Sequence, residues 1–141
     1  MFLLDTNVLS ELRRAGGGKA DARVIAWLAG QDAKSFYISA VTLMELDLGI
    51  LLAERRDPAQ GERLRAWMDD YVMPEFAERT VSLDRAVALR CARLHVPNPR
   101  PERDAFIAAS ALVHGMAVVT RNVADFAPTG VRIINPWDRA D

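Results

Sequence analysis

The stretch Phe2-Leu3-Leu4-Asp5-Thr6-Asn7-Val8-Leu9 constrains the fold most, because three apolar residues run into an acid and then, without a loop, into a helical pattern. The apolar triplet reads as a fully buried strand, and Asp5-Thr6-Asn7 is the chemistry of a helix start. Asp5 then stands at a strand's carboxyl end, the edge where open α/β sheets bind ligands. Taken alone, Asp5 is equally well explained as a helix cap.

The same unit recurs along the chain. A helix over residues 6–14 ends at Gly16-Gly17-Gly18, which follows a helix and leads to Lys19-Ala20, so it lacks the pattern of a phosphate loop. A helix over 20–29 follows, closed by Gly30. Phe36-Tyr37-Ile38 reads as the second strand. The helix after it, from Ser39 or Ala40 to about Glu54, is apolar nearly all round and must be covered on more than one face. A further helix is expected over 61–72, and the two together could form a hairpin with apolar surface left for a second subunit. Thr80-Val81-Ser82 is a third strand, followed by a helix with core stripe Leu83, Ala86, Val87, Cys91 and Leu94. That helix ends at His95, which suits its negative terminus. The Pro-rich connector 97–101 places Pro101 to open the next helix, which carries Glu102, Arg103 and Asp104. Strands at 117–120 and 131–134 flank a short helix over 122–126. Strands alternating with helices throughout predict an α/β fold with a parallel sheet covered on both faces.

With 141 residues, the chain is expected to form a single domain over 1–141. Asp5 interrupts the only apolar start, so no signal peptide is expected. The most apolar window, 105–120, is too short to span a membrane. The single Cys91 suits a reducing cytoplasm. A formal net charge of −1 excludes a protein that binds nucleic acid by excess positive charge alone.

Asp5, Glu45, Asp104 and Asn122 with Asp125 fall at equivalent places beside strand ends. Each has a bland explanation: Thr42-x-x-Glu45 matches a capping box, Asp104 suits a helix N-terminus, and Asn122-x-x-Asp125 a capping pair. Their helical faces argue otherwise. Glu45 shares a face with Val41, Leu48 and Leu52, and Asp104 with Ile107, Ala108 and Ala111, so both are expected against the sheet. Two ionised carboxylates about 4 Å apart repel by roughly 4 kcal/mol at an effective dielectric near 20. No lysine follows a strand, the only two being Lys19 and Lys34. A divalent ion is the economical remedy, and all-oxygen ligands select Mg²⁺ or Mn²⁺. Hydrolysis of a phosphodiester by metal-activated water is the reaction class that follows, with Asp5 and Asp104 holding the ion and Glu45 holding it through a water or orienting the attacking water. The two histidines, His95 and His114, do not follow strands and disfavour a histidine-based mechanism.

The chain resembles the PIN-domain ribonucleases of the VapC type. Leu4-Asp5-Thr6-Asn7-Val8-Leu9-Ser10-Glu11, the block from Ile38 to Leu46 with Gly49, the block from Asp104 to Ala111, the block from Val119 to Phe126, and Asn135-Pro136-Trp137 appear in family order. The resemblance implies a three-layer fold with a mostly parallel sheet of four to five strands. It also implies a Mg²⁺- or Mn²⁺-dependent endoribonuclease that cleaves cellular RNA, the toxin of a bacterial type II toxin–antitoxin pair, forming a homodimer and neutralised by its antitoxin. Asp5, Glu45 and Asp104 match the family's acidic positions. Asn122 stands where many members carry a fourth acid, which leaves open whether one ion or two are held and whether Asp125 contributes. A haloacid-dehalogenase phosphatase would need Asp where Asn7 stands, and a receiver domain Lys where Arg121 stands.

Overall fold

The computed structural model describes residues 1–138. In chain order the elements are β1 (Phe2–Leu4), α1 (Thr6–Ala15), α2 (Ala22–Ala29), β2 (Phe36–Ser39), α3 (Ala40–Arg56), α4 (Pro58–Trp67), α5 (Met73–Glu75), β3 (Thr80–Val81), α6 (Arg85–Leu94), α7 (Glu102–His114), β4 (Ala117–Val119), α8 (Val123–Phe126) and β5 (Ile133–Ile134). The strands form one sheet in the order β3-β2-β1-β4-β5, and every pairing is parallel. The expected sheet is thus present, at the upper end of the expected strand number.

Both faces of the sheet are covered, which is why its strands are apolar without alternation. Leu4 of β1 and Ala117 and Val119 of β4 pack into one core with Val8, Trp27, Leu46 and Met68, so α1 to α4 lie on that face. Leu3 and Val118 point the other way, into a core with Val87, Cys91, Ile107 and Phe126 from α6, α7 and α8. Successive side chains on a strand face opposite sides, so both faces are filled from three-residue strands. The alanines of α7 are fully buried and let that helix sit close to the sheet.

Most helices begin at a short polar side chain that accepts a backbone N–H. Asp5 caps α1, Asp21 α2, Ser39 α3, Asp57 α4 and Asp84 α6. The capping-box reading of Thr42-x-x-Glu45 is therefore corrected, since Ser39 is the cap and Glu45 lies in the second turn. Helix α7 starts at Pro101 without a side-chain cap and ends at Gly115, whose φ of 67° is left-handed and turns the chain directly toward β4. His95 ends α6 as expected, but its Nδ1 accepts the Arg100 backbone N–H at 3.1 Å, so it fastens the proline connector as a hydrogen-bond acceptor.

The helix expected over 61–72 differs most. Helix α4 starts at Pro58, and residues Met68–Val72 continue it as a wider, π-type turn. Gly61 lies inside α4, and a Cβ there would stand 2.5 Å from the Cα of Glu54. The glycine exists so that α3 and α4 can touch backbone to backbone, and Arg65 of α4 bridges Asp47 and Glu54 of α3 beside this contact. Alanine at 61 should destabilise the fold by about 1–3 kcal/mol through overpacking, although alanine is worth about 1 kcal/mol more than glycine inside a helix. Urea unfolding of Gly61→Ala should show a lower midpoint at unchanged slope.

Candidate active site

The sheet order places a topological switch point between β1 and β4, because the chain winds outward from β1 through β2 and β3 and returns to the other side at β4. Leu4 pairs with Val119, so Asp5 and Thr120 leave the two central strands side by side. The Asp5 backbone N–H donates to the Val119 carbonyl at 3.0 Å, which fixes the carboxylate at the sheet's edge.

Asp5 is 4% exposed and fully engaged. Its Oδ1 accepts the Thr6 backbone N–H at 2.8 Å, and its Oδ2 accepts the Thr120 hydroxyl at 2.8 Å and Asn7 Nδ2 at 3.3 Å. The cap and the site residue are one and the same. Burial pushes the Asp5 carboxyl above its ordinary range and the Glu45 charge adds to this, while the bonds from Thr120, Thr6 and Asn7 pull the other way.

Glu45 projects from α3, half-buried, and accepts the Thr6 hydroxyl on Oε1 at 2.8 Å. Its Oε2 lies 3.7 Å from Arg103 of α7. The face proposed for Glu45 from sequence is corrected in part. Val41 is buried, but Leu48 and Leu52 are 39% and 54% exposed, and α3 meets the core through Val41, Thr42, Leu46, Ile50 and Ala53. Glu45 is thus at the border of the buried face. Asp104 occupies the first turn of α7, whose N-terminus is carried to the carboxyl edge because the helix runs back to feed β4. Its companions Ile107, Ala108 and Ala111 are fully buried, as expected.

The Asp104 carboxyl is pushed up to about 6, first by burial and then by the charges of Asp5, Asp125 and Glu45. Those charges come from the cap of α1, from α8 and from α3, all near enough to act on Asp104. Among the described residues, however, no three His, Cys, Asp or Glu side chains are gathered tightly enough to enclose an ion as they stand. Asn122 is exposed and caps α8 without a side-chain bond, so the expected Asn122–Asp125 capping pair does not form. The Asn122 backbone N–H instead donates to Thr120 Oγ1 at 3.0 Å.

Four polar residues were not assigned to the site from sequence. Thr6 joins Asp5's helix to Glu45. Asn7 bonds Asp5 and Thr120 through its amide and the Arg121 backbone N–H through its oxygen. Thr120 has no exposed surface and ties Asp5 to the loop before α8. Arg103 faces Glu45. The available signal was Thr120 itself, a hydroxyl closing an otherwise apolar strand.

Residues 2–128 match the family described as PIN domain. The chain belongs to the PIN-domain family. Across 99% of its own length this PIN domain is 35% identical to VapC ribonuclease Y4jK of Sinorhizobium fredii, covering 100% of it. Across 97% it is 35% identical to toxin FitB of Neisseria gonorrhoeae, covering 99% of that protein. The crystal structure of FitAcB from Neisseria gonorrhoeae matches at a TM-score of 0.89 with 33% identity, covering 99% of this chain and 100% of that one. The VapC-type resemblance and the three-layer fold it implied are both borne out.

The raised Asp104 carboxyl has a stability consequence with a definite sign. The folded PIN domain holds this proton up to about pH 6, the unfolded chain only to about 3.8, so the folded state binds more protons between them. Stability from this group is intact below pH 3.8 and is lost as pH rises through 6. Asp104→Asn should remove this loss and raise stability at neutral pH by roughly 1 kcal/mol or less, given the group's partial exposure to solvent. Thermal melts of both proteins in chelator from pH 4 to 8 should diverge with rising pH.

Proposed function

We propose that this PIN domain, over residues 1–141, is a cytoplasmic Mg²⁺- or Mn²⁺-dependent endoribonuclease, the toxin half of a bacterial type II pair neutralised by a cognate antitoxin. The observation that carries the reading is the buried Asp5 carboxylate at the sheet's switch point, linked through Thr6 to Glu45, with both acids near enough to Asp104 for their charges to act on it. Relatives named as a ribonuclease and a toxin over nearly the whole chain support it. So does the match to FitAcB, whose name joins FitB to a second component.

The donors fit a hard cation, since every candidate ligand offers oxygen and the carboxylates repel one another without one. Asp5 and Asp104 would hold the ion, Glu45 would hold it through a water or orient the attacking water, and Asn122 would offer a neutral oxygen. A bound divalent ion supplies Lewis-acid polarisation of the phosphate and a more acidic water. Thr6 holds Glu45 by one oxygen at 2.8 Å, and Oε2, 3.7 Å from Arg103, is the oxygen that would accept a proton from the attacking water. Thr120 and Asn7 fix the orientation of Asp5 and keep its Oδ2 from rotating away. The water's oxygen bonds to phosphorus, the ester P–O bond breaks, and the leaving oxygen takes up a proton.

Among the described residues, no helix is long and apolar enough to cross a membrane. Met44, Leu48, Leu51 and Leu52 expose apolar surface along α3, which supports a homodimer packed through that helix.

Cleavage of total cellular RNA should require added Mg²⁺ or Mn²⁺ and cease in EDTA. Asp5→Asn and Asp104→Asn should each lower the rate by at least about 10²-fold with circular dichroism unchanged, since asparagine at 5 can still cap α1 and Asp104 caps no helix. Cleavage that persists in EDTA would overturn the metal assignment. RNA bound but never cut by the wild-type protein would replace the enzyme with a binding module.

A further inference from the structure

The acids that suit a cation also repel RNA, and a formal net charge of −1 supplies no general attraction. A strand of phosphates must therefore meet cations placed locally. Two arginines stand beside the acidic cluster, and one of them, Arg103, already faces Glu45 at 3.7 Å. Arg121 is different. Its backbone N–H is anchored on Asn7 Oδ1 at 3.3 Å, and Asn7 in turn bonds Asp5. Its guanidinium carbon lies 5.5 Å from the centroid of the Trp137 ring. Among the described residues no carboxylate forms an ion pair with it.

Trp137 is itself a fixed plate, 5% exposed, with its backbone N–H held by Asn135 Oδ1 at 3.0 Å. A guanidinium lying on an aromatic face keeps its edge donors free, and a planar fork matches phosphate oxygens in pairs. Arg121 lines an open cleft of about 510 Å³ with Asn122, Asn135 and Trp137. The acids Asp125 and Asp138 line it too, and the second is engaged by Asn135 Nδ2 at 3.1 Å. Asp125 belongs both to this cleft and to the group of charges acting on Asp104.

We propose that Arg121, laid on Trp137 at the mouth of this cleft, is a positioning residue that receives a phosphate of the RNA strand neighbouring the one to be cut. The strand then runs from the acidic cluster over the cleft, and Arg121 sets which bond is presented to the acids. This rests on the ribonuclease reading and adds to it the path of the substrate.

The test separates binding from cutting. A fluorescein-labelled single-stranded RNA of roughly 12 nucleotides, within the site sizes of single-strand binders, is titrated in EDTA with Asp5→Asn protein over a series of salt concentrations. Adding Arg121→Ala should weaken binding about tenfold and reduce the slope of log affinity against log salt by about 0.7, the loss of one phosphate contact on a single strand. Arg121→Lys should keep the slope while binding less tightly than arginine, and Arg63→Ala, an exposed arginine on α4, should change neither quantity. If wild-type protein cleaves RNA but Arg121→Ala keeps both affinity and slope, this proposal fails and the ribonuclease reading stands. Weaker binding at an unchanged slope also overturns it, because the contact is then not to a phosphate. Loss of antitoxin affinity with RNA binding intact assigns Arg121 to the partner instead. If wild-type protein neither cleaves nor binds RNA, both readings fall together.

Discussion

A carboxylate buried at the edge of a parallel sheet is the constraint around which this molecule is arranged. Both faces of the sheet are sealed, so polar chemistry emerges only where strands end. At the switch point between β1 and β4 that place is filled by Asp5, and a carboxylate with almost no solvent access needs donors for its oxygens. Thr6, Asn7 and Thr120 supply them. Each donor carries a second connection: Thr6 reaches Glu45, Asn7 reaches the Arg121 backbone, and Thr120 accepts from Asn122. The hydrogen-bonding needs of one buried acid thereby tie together the starts of α1, α3 and α8.

The same arrangement is electrostatically unfavourable in isolation. Hydrogen bonds oppose the rise in the Asp5 carboxyl, yet burial outweighs them, and Asp104 is pushed up to about 6 with no such bonds to help it. An ordinary structural acid has its charge matched by a cation or exposed to water. Here Arg103 faces only Glu45, at 3.7 Å, and no lysine is near in sequence. Strain of this kind is common where a ligand completes the charge balance.

Much of this was legible from sequence because it depends on local chemistry. Short apolar strands alternating with helices indicated the sheet, and the capping chemistry after the first of them indicated the position of Asp5. What stayed hidden depended on contact between distant segments. Thr6 and Asn7 looked like helix-start residues, and nothing local to them shows a partner 39 or 113 residues away. Gly61 looked like a helix boundary, whereas its role is set by Glu54 across the α3–α4 contact. The error about Leu48 and Leu52 has the same origin. Helix α3 is apolar nearly all round, so periodicity identifies no single inward face, and only its neighbours decide that Leu46 and Ile50 are buried while Leu52 is not.

Asn122 gains a physical meaning from the same electrostatics. Three carboxylates already act on Asp104, one of them Asp125, three positions beyond Asn122 in the same short helix segment. A further acid at 122 would add another negative charge at the loop after β4, where Arg121 is the nearest cation in sequence and lies on Trp137. A neutral amide spares that repulsion and still offers an oxygen. At this edge the fourth position thus contributes polarity in place of charge.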